Sequence, residues 1–167
     1  MKMRGLCVLV GIGLLGTQAS AALQPATSSL ESDAVQAESA SRPGMIAQRC
    51  VRSMNRTAHA TGDAMERVAH YGIMRIRGLA MDGAPDRAIM DSAHRSIEVI
   101  HRRAAAGSAH VNTIADRCIR ALHDAGVDRE LIERVNTARR HALGSISDSA
   151  QRAIHAVRQA ADRAIGG

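Results

Sequence analysis

The stretch Pro85–Ala125, PDRAIMDSAHRSIEVIHRRAAAGSAHVNTIADRCIRALHDA, decides the fold. Met90, Ala93, Ile97, Ile100, Ala104, Gly107, Val111, Ile114, Cys118, Ala121 and Ala125 follow one another at alternating steps of three and four. Every residue on that path is apolar or small, which places them on one stripe of a helix, as in a coiled-coil seam. At ~1.5 Å per residue such a helix is about 60 Å long, too long to be stable without partners along its length.

Upstream lies Asp82-Gly83-Ala84-Pro85, a stop signal. Gly83 suits the left-handed position after a helix, and Pro85 suits the first turn of the next one. The preceding stretch, about 44–81, reads as a first helix. Val51, Met54, Ala58, Thr61, Met65 and Val68 keep heptad spacing, and the stripe then shifts by four residues through Ala69, Ile73, Ile76 and Ala80. Such a shift is a stutter, which relaxes supercoiling. Thr61-Gly62-Asp63 offers an alternative helix start, but the stripe runs on through it.

Downstream, Gly126 ends the second helix (about 85–125). Asp128 offers an N-cap for a third (about 128–165), with Val127 and Ile132 at the positions of a hydrophobic staple. Here the period is eleven. Leu131, Ala142, Ala153 and Ala164 form one row, Val135, Ile146 and Val157 another, and Ile132, Leu143, Ile154 and Ile165 a third. An eleven-residue repeat describes a nearly straight helix, and the third row widens its apolar face to suit the groove between two others. Gly144-Ser145 interrupts helix propensity but not this register.

The composition agrees. The 167 residues hold one tyrosine and neither tryptophan nor phenylalanine, so the core must be built from Ala, Ile, Leu, Val and Met. The expectation is an all-α, elongated up-down-up three-helix bundle with an alanine-rich core.

Residues 1–21 read as an export signal. Lys2 and Arg4 precede an apolar core, Leu6 to Leu15, and Ala19-Ser20-Ala21 is a cleavage pattern that sets the mature start at Ala22. No stretch is long and apolar enough for a transmembrane segment of the mature chain. Residues 22–43, rich in Ser, Ala, Gln and acids, read as a flexible linker. The expected localisation is exported, periplasmic or secreted.

Export places Cys50 and Cys118 in a disulfide-permissive compartment. In a hairpin turning near residue 84, facing residues have numbers that sum to about 168, and these two cysteines satisfy that sum. They are expected to form an inter-helix disulfide. The same register sets Met54 against Ile114, Thr61 against Gly107 and Val68 against Ile100. Arg49-Cys50-Val51-Arg52 also echoes Arg117-Cys118-Ile119-Arg120.

Eight histidines raise a metal question. His59 falls level with His110, while His94 and His101 share a helix face; these four are the candidate ligands. No HxxxH, HExxH or Cys/His cluster supports them, so structural or solvated histidines are the plainer expectation and no cofactor is assigned. No catalytic residues are assigned either, since phosphate loops, nucleophile elbows and zincin motifs are all missing.

Losing Lys2 and Arg4 with the signal lowers the formal net charge from +6 to +4. Asp63–Arg67, Asp91–Arg95, Glu98–Arg102, Asp116–Arg120, Glu130–Arg134 and Asp148–Arg152 stand at i,i+4 in the favourable order, each pair worth about 0.2–0.5 kcal/mol if formed. They read as a self-neutralising solvated surface. Without stacking aromatics, no nucleic-acid partner is expected. The functional expectation is an exported, non-catalytic structural or interaction protein. Its partner would be an unknown protein, a second copy through Leu143 and Ile154 of the third helix, or an anionic envelope surface. Extracytoplasmic metal binding is the alternative.

Overall fold

The computed structural model describes the backbone of residues 27–127 and 129–166, with side chains from residue 42 onward. Three helices follow in order: α1 Thr27–Met81, α2 Asp86–Asp124 and α3 Arg129–Ile165. No strand occurs among the described residues. All three pairs of helices pack together, as an up-down-up bundle requires. The export signal, its cleavage point and the Asp128 cap lie outside the described residues.

Both connections are built alike. After α1, Gly83 adopts φ 68°. Its N–H donates to the Ala80 carbonyl at 3.1 Å, and the Ala84 N–H donates to the Leu79 carbonyl at 2.9 Å. After α2, Gly126 at φ 66° repeats the arrangement. Its N–H donates to His123 at 2.9 Å, and Val127 donates to Leu122 at 3.2 Å. These are Schellman motifs, in which a left-handed glycine lets the chain satisfy the last orphan carbonyls while reversing direction. Pro85 sits just before α2 as its N-cap, one position earlier than the first-turn place expected for it. Helices α2 and α3 otherwise keep their expected ends to within a residue and run unbroken, α3 through Gly144 and Ser145.

α1 starts at Thr27, well ahead of the expected Gly44, and carries Pro43 inside it. The sequence reading placed a linker there because the stretch is rich in Ser, Ala, Gln and acids, yet those residues tolerate helical backbone, and Pro43 removes only one backbone donor from α1. In the hairpin register, Asp124 at the end of α2 stands level with Gly44. The part of α1 before residue 44 therefore has no level partner in α2.

The core corrects one expectation. In α2 the buried residues are Ile89, Ser92, Ala93, Ile100, Gly107, Val111, Ala115, Cys118 and Leu122. The expected stripe is right at its centre and wrong at both ends: Met90, Ala121 and Ala125 are exposed, while Ile89 and Leu122 are buried. A strict seven-residue stripe drifts ~20° per heptad around a straight helix, so over this length it leaves the core. The period that fits is eleven. It gives Ile89, Ile100, Val111 and Leu122, and beside them Ala93, Ala104 and Ala115. α1 repeats it with Ala47, Ala58 and Ala69 and with Met54, Met65 and Ile76, all buried. α3 does so with Val135, Ile146 and Val157, also buried. The three helices thus share one period, the one that goes with little supercoiling.

The α1–α2 contact has its own eleven-residue row: Cys50 faces Cys118, Thr61 faces Gly107, and Gly72 faces Ser96. A methyl group placed on Gly107 would meet the Thr61 side chain at 2.5 Å, and one on Gly72 would meet Ser96 Oγ at 2.5 Å. The two helices approach so closely there that only hydrogen fits. The hydroxyls turn back along their own helices, Thr61 donating to the Thr57 carbonyl at 2.8 Å and Ser96 to the Ser92 carbonyl at 3.0 Å. Ser92 Oγ is buried with no hydrogen-bond partner among the described residues. Against α3, Gly62 comes within 3.3 Å of Ser149 Oγ, measured from where its Cβ would stand.

Gly107→Ala and Gly72→Ala are expected to destabilise the bundle by about 1–3 kcal/mol through overpacking. Gly144→Ala, with open space around it, should stabilise by up to ~1 kcal/mol through helix propensity. Ser92→Ala should be neutral or stabilising, because it removes a desolvated hydroxyl that bonds to nothing. Thermal denaturation of the four variants checks this order, and equal effects of the three glycine changes would contradict the close approach.

Candidate functional site: the outer face of the first helix

The expected disulfide is present. Cys50 and Cys118, separated by 68 residues, are bonded with their Cα atoms 6.3 Å apart. That spacing is ordinary for a disulfide. The bond staples α1 to α2 near the end of the bundle remote from the hairpin turn, where antiparallel helices are freest to splay.

The charged surface differs from the sequence reading. None of the six i,i+4 pairs closes as a side-chain ion pair; those formed among the described residues are Arg139–Asp116 at 3.1 Å and Arg140–Glu133 at 2.9 Å. Exposed pairs of long side chains gain little over hydration, so the i,i+4 geometry is weakly enforced. Asp116 is taken by Arg139 from the neighbouring helix, which also donates through Nε to Asn112 Oδ1 at 2.7 Å. The Arg139 fork thereby joins α3 to α2 at two points, and Arg120 is left reaching the Asp116 backbone carbonyl at 3.4 Å. On α3, the Arg140 hydrogen bond and charge hold the exposed Glu133 carboxyl below its ordinary range.

His59, His94, His101 and His110 are all exposed. Among the described residues no three His, Cys, Asp or Glu side chains converge as metal ligands. Leu143 and Ile154, the expected self-association row, are half-buried and packed against the chain's own core.

The surface feature that sequence reasoning missed lies on α1. Four of the six exposed large apolar residues belong to it: Met45 (56% exposed), Tyr71 (72%), Met74 (53%) and Met81 (88%). Met45, Arg49, Arg52 and Arg56 follow at steps of four, three and four, on the side of the helix opposite buried Met54. Arg67, Tyr71 and Met74 continue the same stripe at the same steps. Arg49, Arg52, Arg56 and His59 flank an open depression of about 560 Å³. All four are exposed, and the three arginines make no ion pair with any described residue. From residue 42 to residue 62 the chain contains no acid. A signal was available, for the absence of carboxylates over five helical turns is visible in the sequence. The count of i,i+4 pairs elsewhere had averaged it away.

Towards the hairpin end, a shallow apolar groove of about 460 Å³ runs between α1 and α3. Ile73, Ala80, Ala160 and Ala164 form its sides, and Arg77 and Arg163 its rim. It exists because the alanines of α3 are too short to fill the space beside Ile73. Among the described residues no helix is long and apolar enough to cross a membrane. Comparison with family models, curated proteins and solved structures finds no match to this chain.

Reduction of Cys50–Cys118 should lower the melting temperature by on the order of 10 °C. The chain-entropy model assigns about 4 kcal/mol to closing a loop of this length. A melting curve unmoved by reductant would show that helix packing alone holds the two ends together.

Proposed function

We propose that this chain is an exported, non-catalytic helical protein that presents a rigid, disulfide-clamped rod to a macromolecular partner. One observation carries the reading. Among the described residues, every Asp, Glu, Arg and His side chain is exposed except Arg139, which is half-buried. Chemistry at a protein site needs titratable groups brought together and shielded from water, so that their pKa values and positions are set. Here the interior is filled by alanine, methionine and branched aliphatics, and the buried polar residues are Ser92 and Ser149. Such a molecule acts through its surfaces.

Export is supported by the disulfide, because cytosolic thiols are ordinarily kept reduced. The amino-terminal sequence supports it independently. The surface offered for binding moves from α3, whose wide face is spent inside the bundle, to α1, whose outer face combines methionine, tyrosine and arginine. Those residue types are enriched in binding interfaces.

Thiol alkylation after cell fractionation tests the reading. The expected result is a chain beginning at Ala22, outside the cytoplasm, with Cys50 and Cys118 linked to each other and protected from alkylation. A cytoplasmic protein with two alkylatable thiols would contradict it.

A further inference from the structure

We propose that the outer face of α1 is a lipid-docking surface, and that its ligand is the phosphate-bearing headgroup layer of an anionic bilayer. This rests on the reading of the protein as an exported surface-binding rod and names what one surface binds. The face has two halves, with the exposed acids Asp63 and Glu66 beside Arg67 between them. From Arg49 to His59 it is cationic, with guanidinium groups on successive turns and no described carboxylate paired to any of them. From Tyr71 to Met81 it is apolar at its outermost points, with three large side chains more than half exposed.

Arginine suits this ligand because its planar fork engages phosphate oxygens through two donors, and its positive charge does not titrate away. The distribution of the apolar residues selects a bilayer over a protein partner. A protein interface buries its apolar residues together in a dry centre ringed by polar groups. Here they form a single file along one helix, Met45 alone towards one end and Tyr71, Met74 and Met81 towards the other, about 54 Å from first to last at ~1.5 Å per residue. A single file encloses no dry centre, but its side chains can enter a fluid headgroup layer while the helix lies parallel to the surface. Tyr71, with an apolar ring and a polar tip, belongs at that depth. Nucleic acid would also attract the arginines, but the cationic half holds no aromatic residue on which a base could stack.

The apolar groove between α1 and α3 opens beside Met81, which also lines it, and Arg77 and Arg163 stand at its rim. An acyl chain displaced at the headgroup boundary would meet aliphatic walls there and a cation at the mouth. The cationic depression and the apolar groove thus lie towards opposite ends of α1.

The test is sedimentation of the oxidised, signal-free chain with vesicles of phosphatidylglycerol and of phosphatidylcholine. Binding is expected to the first and not the second, and to weaken steeply between 0.1 and 0.5 M salt as screening shortens. The triple variant Arg49→Gln/Arg52→Gln/Arg56→Gln should lose about 100-fold in affinity, since each cation near an anionic surface contributes roughly a factor of five. Its circular dichroism should be unchanged, because these side chains are exposed. The double variant Tyr71→Ser/Met74→Ser should weaken binding while leaving its salt dependence intact.

Equal binding to both lipids, or an unaffected triple variant, would overturn the proposal. So would retention on soluble polyglutamate without retention on vesicles. None of these outcomes touches the compartment or the disulfide, which thiol alkylation decides separately, so the two readings fail independently.

Discussion

The structure depends on how closely α1 and α2 approach. A core of alanine, methionine and branched aliphatics buries little area per residue, so it is stable only if the helices come near enough for short side chains to touch. Glycine permits that approach at two levels, Gly107 under Thr61 and Gly72 under Ser96. A third level, eleven residues further along each helix, is the covalent bond between Cys50 and Cys118. The same spacing recurs because it suits helices that are not wound around each other. Eleven residues make three turns of 3.67 residues, close to the natural 3.6. Straight, close helices then leave one groove for α3, which its widened apolar face fills.

This arrangement also fixes the character of the surface. Since small residues fill the interior, nothing charged can enter it without displacing a packed neighbour, and the titratable groups are turned out to water. The Arg139 fork on Asn112 and Asp116 shows the limit of what charge contributes to the fold. It fastens one edge of the bundle, and its half-exposed setting keeps its strength modest. What distinguishes one face from another is therefore composition. On α1, five turns without an acid and four exposed apolar side chains share a single helix, with Asp63 and Glu66 between the acid-free run and Tyr71.

Much of the fold was legible. The helix ends were set by Gly83, Pro85 and Gly126, whose backbone preferences act locally and need no tertiary information. The disulfide followed from symmetry about the turn. The eleven-residue period was read in α3, where Val135, Ile146 and Val157 announce it. In α2 it was read as a heptad, because Met90, Ile97, Ile114 and Ala121 supply apolar residues on the neighbouring track. Both tracks satisfy a hydrophobic pattern, and only the packing of a straight partner selects one. The start of α1 was misplaced because a stretch rich in Ser, Ala, Gln and acids shows no apolar period, although none of these residues forbids helix. The α1 face was hidden for a different reason. Exposure of Tyr71, Met74 and Met81 depends on which side of α1 the other helices take, and that is a property of three helices together.

Engineered cross-linking tests the central claim, the antiparallel register of α1 and α2, most directly. The reduced chain carries an aligned pair, Cys50 and Cys118, at one level of the row shared by the two helices. The account predicts that this pair forms an intrachain disulfide in air and restores the melting temperature to that of the oxidised parent. Cys50 in a chain carrying Cys118→Ser and Ile114→Cys, one helical turn out of register, should remain reduced. Cross-linking of the shifted pair as fast as the aligned one would contradict the register, and with it the close approach on which the rest of the structure stands.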